Sequence, residues 1–380
     1  GAKLLLESIV TNVQKKLSIT MSLLREQIAQ PRVVALGLIL IAASLEFCFH
    51  IVQGQQSVNG WISRQQQFPP TAPNNNSTFD KFGFYLMGDT PYADWEDQML
   101  QYQISNLHKN NQNHILFTVH IGDIQKVQRT NCAEAHYAHI ANVLKGGPLP
   151  TFVILGDNDW FDCPDRKTSF SFFRQYLTHL DQDWHHTFPV VRDDHTPELL
   201  ALELDGILFL SIHLINTRIS DEPEMDFQIR MRNNQIWVRR QLDHYFANTY
   251  IRGVVILGHS LRSPRTRPFF EFLAGNFLKN PERLKVPVVY LHGDGHNWDV
   301  DHKLSHQLDW KYFYDVQIDQ GAYADPCIVE FAKQVKGKLI PMRQEHENQL
   351  LLGRGLIRID RQRGRYSKEY LESWTEARQR

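Results

Sequence analysis

Residues Thr151 to Cys163 read TFVILGDNDWFDC, an apolar run that stops on Gly156 and opens into Asp157, Asn158 and Asp159. Four further stretches have the same construction. FGFYLMGD ends on Asp89, HILFTVHIGD on Asp123, GVVILGHS passes through His259, and VPVVYLHGDGH carries Asp294 and His296. Continuous apolar runs are the signature of strands buried on both faces, and strands of an α/β sheet present their C-terminal loops along one rim. A Gly-Asp pair at a strand end also serves as a turn or helix N-cap, and for any single pair that is the commoner use. Five such endings, each with a carboxylate or imidazole, point instead to one shared site.

Working outward, helix-like stretches separate these runs: Ala93 to Lys109, Ala133 to Leu144, Asp165 to Leu180, Pro223 to Phe246 and Pro268 to Leu278. Strand and helix in alternation argue for an α/β core. In LLALELDGILFLSIHLI the pair Asp205-Gly206 stands between two apolar runs and predicts a hairpin. Parallel units plus a hairpin predict a mixed sheet, or two sheets packed face to face. GLIRIDRQRGRY, near residue 360, reads as a last hairpin whose basic residues form a solvated face.

The chain has 380 residues, 42% of them hydrophobic and 22% charged, enough for one large core with appendages. A formal net charge of −1 gives no overall attraction to nucleic acid. The sequence opens on glycine, as a processed chain or a fragment would. Residues 1–32 form a basic helical segment with Lys3, Lys15, Lys16 and Arg25, and Val33 to Val52 is an apolar run of about the ~20 residues a membrane helix needs. Glu46 and His50 interrupt its second half, and a buried core helix is the competing reading. Since no Lys or Arg lies between Arg32 and Arg64, the charge asymmetry predicts a signal anchor with 1–32 in the cytoplasm. Residues 53–78, rich in Gln, Asn, Pro and Ser, form a polar linker, and 79–380 form the globular domain, periplasmic, extracellular or lumenal.

The order GD…GD…GDND…GH…GDGH resembles the calcineurin-like metallophosphoesterase family, whose blocks are D-x-H, G-D-x-x, G-N-H-[DE], G-H and G-H-x-H. The resemblance covers roughly Phe84 to Asp299 and is similar to a divergent subgroup related to the purple acid phosphatases. It implies an α/β four-layer sandwich of two mixed β-sheets flanked by helices, with two divalent metal ions (Mn, Fe, Zn or Mg) at the sheet edge. Carried over, Asp89 binds the first metal, Asp123 bridges both, His259 binds the second and His296 returns to the first. The implied activity is phosphoester hydrolysis, of monoesters or diesters, by in-line attack on phosphorus.

Three departures bear on the detail. Pro91 stands where the first block has His. In the third block Asp157 falls on the metal-binding Asn and Asn158 on the His that protonates the leaving group, unless the register shifts by one and Asn158 is the ligand. In the fifth block Asp294 replaces the first His. Carboxylates for neutral ligands favour Mn²⁺, Mg²⁺ or Fe over Zn²⁺. Asn158 cannot act as a general acid, which leaves His292 as the candidate. Pro91 and Asn158 also support the alternative of a catalytically degenerate binding module on the same fold.

Cys132 follows the second loop and Cys163 the third, so an external location predicts a disulfide between them. Cys48 and Cys327 have no evident partner. Trp95, Trp160 and Trp298 follow ligand loops and either wall a pocket or simply pack. His213 and Asn216 could reach the site from the hairpin, and Arg129 and Arg166 could bind phosphate.

Overall fold

The computed structural model describes residues 81–107, 113–215, 224–335 and 338–379. The basic segment 1–32, the apolar run 33–52, the linker 53–78 and Asn216 lie outside the described residues. No helix among the described residues is long and apolar enough to cross a membrane.

Two sheets carry the fold. The first has six strands in the order β14-β15-β11-β1-β2-β3, built from β1 (Lys81–Met87), β2 (Ile115–His120), β3 (Thr151–Val153), β11 (Cys327–Ala332), β14 (Gln349–Leu352) and β15 (Ile357–Asp360). The second has seven in the order β4-β5-β6-β7-β8-β10-β9: β4 (Val191–Arg192), β5 (Leu200–Leu204), β6 (Ile207–Ser211), β7 (Gly253–Leu257), β8 (Val288–His292), β9 (Asp299–Asp301) and β10 (Phe313–Gln317). A short ribbon of β12 (Gln334–Val335) and β13 (Lys338–Leu339) stands apart. β1, β2 and β3 run parallel, as do β6, β7, β8 and β10, while antiparallel strands occupy the flanks. Both sheets are therefore mixed, as the alternation and the hairpin predict.

The continuous apolar runs have a direct cause. Along β1, Phe82, Phe84 and Leu86 point between the sheets, where they meet Phe117, Phe209, Val255, Val289, Val329 and Phe331. The alternate residues Tyr85 and Met87 point outward against Leu100, Ile104, Tyr137, Ile140 and Phe173. Those partners come from helices α1 (Asp94–Asn106), α2 (Glu134–Lys145) and α3 (Arg166–Tyr176). A strand with helices on one face and a second sheet on the other has no solvated side, so alternation vanishes. Helices α4 (Glu224–Asn248) and α5 (Arg267–Leu278) cover the outer face of the second sheet, where Phe270 sits 5.1 Å from the Tyr290 ring. The order from outside to outside is helices, sheet, sheet, helices; α6 (Lys368–Gln379) follows the last strand.

The Asp205-Gly206 turn joins β5 and β6 as predicted, with both residues at positive φ (48° and 78°). The last hairpin differs from its expectation. It pairs β14 with β15, so the turn falls at the very start of GLIRIDRQRGRY and that stretch supplies one strand of the hairpin, not both. Three consecutive positive φ values at Gly353, Arg354 and Gly355 make that turn, and two of the three residues are glycines that adopt them without a Cβ clash.

A charged group sits in the middle of the first sheet. Glu330 on β11 is 3% exposed and receives Lys81 (2.5 Å), His114 (2.7 Å) and Arg358 (2.6 Å). Burial alone would raise its pKa; the three partners outweigh it and hold the carboxyl at about 2. A depressed carboxylate stabilises the fold above its unfolded pKa and loses that contribution as pH falls through the folded one. The wild-type advantage over Glu330→Gln is therefore full above pH 4.5 and fades toward pH 2. At neutral pH the variant should be less stable by roughly 3 kcal/mol. Denaturant titrations at stepped pH measure this; a constant difference between the two proteins across the acid range would refute it.

Candidate functional site

All five predicted loops leave the same edge of the two sheets. Those after β1, β2 and β3 bring Asp89, Asp123 and Asp157 from the first sheet, and those after β7 and β8 bring His259, Asp294 and His296 from the second. Ligand-type atoms of Asp89, Asp123 and His259 lie within 4.8 Å of one another, and so do those of Asp157, His259 and Asp294. The two groups share His259, and each could hold a metal ion.

Backbone geometry at these positions is unusual. Asp89, Asp123, Asp294 and His296 all have φ between 56° and 67°, in the left-handed region that non-glycine residues seldom occupy. Such conformations cost on the order of 1–3 kcal/mol each and persist only where the surroundings impose them. The neighbouring glycines show what imposes them. A Cβ on Gly156 would stand 2.2 Å from Asp123 Oδ1, and one on Gly293 would stand 2.2 Å from Asp89 Oδ2. Each of these glycines is the floor on which another loop's carboxylate rests.

His259 is fully buried, and its Nδ1 faces the Ile121 carbonyl at 2.8 Å. A ring nitrogen against a carbonyl must carry the proton, which leaves Nε2 as the lone-pair donor. That atom lies 3.2 Å from Asp123 Oδ1 and 3.4 Å from Asp157 Oδ1, and neither it nor the buried Asp89 Oδ2 has a hydrogen-bond partner among the described residues. Burial raises the pKa of Asp89, and that of Asp123 well above the ordinary carboxylate range. For His259 burial acts downward, yet Asp123, Asp157 and Asp89 together outweigh it and raise the imidazole well above its usual value, so that these carboxylates draw positive charge to Nε2, a proton or the cation that would replace it. Among the described residues no Lys or Arg forms an ion pair with any of the four carboxylates. Orphaned lone pairs, hard oxygen donors and missing countercharge fit divalent cations.

Asn158 is part of the cluster but turned to Asp123. Its backbone N–H donates to Asp123 Oδ1 (3.1 Å) and its Nδ2 to Asp123 Oδ2 (2.7 Å), while Asp157, one residue earlier, reaches His259. His296 Nε2 is 3.6 Å from Asp89 Oδ1. His292 is not brought to the ligand atoms as a free acid. Its ring is buried, with Nδ1 3.1 Å from the Gly293 carbonyl and Nε2 3.0 Å from Asp315 Oδ1, and Arg262 holds the other oxygen of Asp315 at 2.8 Å.

Two site residues escaped the sequence reading. Tyr92 donates its hydroxyl to Asp123 Oδ2 at 2.7 Å and lies 3.5 Å from His296 Nε2; burial pushes its pKa well above 10, so it stays protonated. It follows Pro91, and no spacing in the sequence marks it. Asp159 is a brace: Oδ2 accepts from the N–H groups of Gly156 (2.7 Å) and Asp123 (3.0 Å), Oδ1 from Ile124 (2.8 Å). Burial raises its pKa to about 6 against those three donors.

Cys132 and Cys163 are joined by a disulfide, with Cα atoms 5.9 Å apart, linking the segments that follow the second and third loops. Cys327 is free and buried. Of the other candidates, Arg129 pairs with Asp94, Arg166 stacks 3.8 Å over Phe161, Trp95 packs on Tyr323 and Trp298 lies under Arg361.

No family model matches the chain, and no curated protein matches its sequence. Several solved structures do. One is GAP50, the anchor in the inner membrane complex of Plasmodium, at 15% identity, covering 69% of this chain and 87% of that one with a TM-score of 0.39. Another is TT1561 of Thermus thermophilus, at 11% identity, covering 66% and 94% with a TM-score of 0.37. A third is the Thermus thermophilus sulfate thiohydrolase SoxB in complex with glycerol, at 12% identity, covering 73% of this chain and 45% of that one with a TM-score of 0.38.

The glycine floors yield a stability contrast. Gly156→Ala drives a Cβ into Asp123 and should lower the denaturation free energy by roughly 1–3 kcal/mol. Gly275→Ala in α5 meets open space and should raise it by up to ~1 kcal/mol. Equal effects of the two substitutions on the denaturant midpoint would contradict the close-approach account.

Proposed function

We propose that the chain is a metal-dependent phosphoester hydrolase in which Asp89, Asp123, Asp157, His259, Asp294 and His296 hold two divalent cations. The observation that carries this reading is the buried, unpartnered Asp89 Oδ2 and His259 Nε2 inside a ring of carboxylates without Lys or Arg. Asp89 and His296 would hold one metal and Asp157, His259 and Asp294 the other, with Asp123 available to both. Bound there, two divalent cations would supply charge to the phosphoryl oxygens and lower the pKa of the attacking water. The chain's own residues do the rest. Asn158 and Tyr92 converge on Asp123 Oδ2 and fix its carboxylate; both are neutral donors suited to a phosphoryl oxygen as well. His292 takes a positioning part through Asp315.

Charge sets a preference among substrates. Four carboxylates against two divalent cations leave no net positive charge, whereas the family blocks, with amide and imidazole at two of these places, leave an excess. A dianionic monoester gains less from such a site than it would there, which favours monoanionic diesters. Asn158 has no proton to give to a leaving group, and the Tyr92 hydroxyl is directed at Asp123, which favours esters of acidic alcohols.

Pro91 and Asn158 also favour a second reading, a binding module that retains the fold without turnover. Asp123→Asn separates the two. On the hydrolase reading it loses at least one of two metals by elemental analysis and at least ~100-fold of its rate on bis(p-nitrophenyl) phosphate, with the fold intact by circular dichroism. Asp157→Asn should be milder, because an amide oxygen still binds metal. Identical metal content and hydrolysis in wild type and Asp123→Asn would leave the binding module.

We further propose that residues 33–52 anchor the chain with this domain outside the cytoplasm. The Cys132–Cys163 disulfide supports it, since such bonds persist in oxidising compartments. Protease added to intact cells or spheroplasts should remove the domain; protection equal to that of a cytosolic marker would overturn the topology.

A further inference from the structure

Beside the carboxylate cluster lies a cavity of about 370 Å³, within the span of small-molecule sites, roughly 300–1,000 Å³. Trp160, Phe170 and His213 form its aromatic wall, with Arg174, Glu198 and Asn233 among the polar residues around them. The wall is attached to the metal loops on two sides. Trp160 follows Asp159 directly, and its backbone N–H donates to the Asp157 carbonyl at 3.3 Å. On the other side, Leu214 follows His213, and its carbonyl accepts from the N–H groups of His259 (3.4 Å) and Ser260 (3.0 Å).

The three rings form one group: Trp160 to His213 is 5.4 Å, Trp160 to Phe170 5.1 Å and Phe170 to His213 6.1 Å between centroids. Two nitrogens within it, Trp160 Nε1 and His213 Nε2, are buried with no hydrogen-bond partner among the described residues. Buried polar atoms without partners are rare in folded proteins and call for a bound group that satisfies them. The charged residues around the cavity are balanced in sign: Arg174 binds Glu198 through two nitrogens at 3.1 and 3.2 Å, and Arg230 and Asp226 complete the charged lining. Burial, followed by Arg230 and Arg174, pushes the His213 pKa well below its usual value, so the ring is neutral at physiological pH. Two arginines against two carboxylates give an inorganic anion no net positive charge in such a wall, and an alkyl chain leaves both ring nitrogens unsatisfied. A flat ring with donor and acceptor atoms on its edge meets both needs: its faces stack on the aromatics and its edge pairs with the nitrogens.

We infer that this cavity binds a planar heteroaromatic group of nucleobase type, the organic portion of the phosphoester substrate. Its place in the reaction rests on the hydrolase reading; the binding itself does not. The test therefore uses metal-free, full-length protein and reads binding alone, by calorimetry and tryptophan fluorescence, with adenosine as probe and ribose and benzyl alcohol as controls. Adenosine should bind saturably, ribose should not, and benzyl alcohol should bind more weakly than adenosine. Trp160→Phe and His213→Phe keep the rings and remove the nitrogens, and each should weaken adenosine about tenfold, the equivalent of one lost hydrogen bond. Asn233→Ala, at an exposed helix position, replaces them should either ring variant lose its circular dichroism signature, and should weaken adenosine several-fold. No saturable adenosine binding, equal binding of benzyl alcohol, or unchanged affinity in the folded variants would overturn the inference. A protein that hydrolyses diesters yet ignores adenosine would keep the hydrolase reading and lose this one.

Discussion

Four carboxylates drawn around one imidazole are the constraint on which the rest of this structure depends. Asp89, Asp123, Asp157 and Asp294 approach His259 from loops of two different sheets, and at the distances observed like charges repel strongly in a medium of low dielectric constant. Left to local preference the loops would splay. The left-handed backbone at Asp89, Asp123, Asp294 and His296 is a further cost. What holds the cluster is the pair of sheets behind it, whose interior stacks Phe84 on Phe117 at 5.0 Å and sets Phe209 edge-on to both. The hydrophobic core stabilises a site that would not form alone.

Between core and cluster lies a layer of cross-links that joins the loops to one another. Asp159, in the third loop, accepts two backbone N–H groups from the second, and the Cys132–Cys163 disulfide ties the segments just beyond. The two sheets are joined by equally specific contacts: His259 Nδ1 reaches the Ile121 carbonyl, and the Asp294 N–H donates to Asp89 Oδ1 at 2.9 Å. Each bond spans loops far apart in sequence, so a shift of either sheet would break several at once. The geometry of the cluster is therefore a property of the domain, not of any one motif.

That division explains what could be read in advance. The strands were legible because burial on both faces writes an unbroken apolar run, and the Gly-Asp and Gly-His endings were legible because a missing Cβ lets a neighbour approach closely: a carboxylate at Gly156 and Gly293, backbone at Gly122, and the Ile121 and Tyr290 side chains at Gly88 and Gly258. The Asp205-Gly206 hairpin followed from turn chemistry alone. Tyr92 was not legible: its hydroxyl meets a carboxylate 31 residues away, and nothing near Pro91 announces it. The environment of His292 was hidden for the same reason, since Asp315 comes from the adjacent β10 and Arg262 from the loop after β7. Even the last hairpin moved upstream, because its turn rests on Gly353 and Gly355 and not on the basic residues that drew attention.

The chain also contains its own comparison for the meaning of the cluster. Several buried carboxylates that serve structure are paired with guanidinium or ammonium groups: Glu330 with Lys81 and Arg358, Asp315 with Arg262, and Asp181 with Arg192, while Asp159 is held by three backbone N–H groups. Breaking such a pair costs several kcal/mol because it strands a charge in the interior. Asp89 and Asp123 are as buried as any of these, and their polar contacts among the described residues are backbone N–H groups, neutral side chains and two histidines. Glu330, Asp315 and Asp181 receive basic side chains and Asp159 a full set of backbone donors, whereas Asp89 keeps a buried oxygen with no hydrogen-bond partner among the described residues, which leaves a place for positive charge from something that binds. That asymmetry, more than the spacing of the motifs, argues that the cluster is a site.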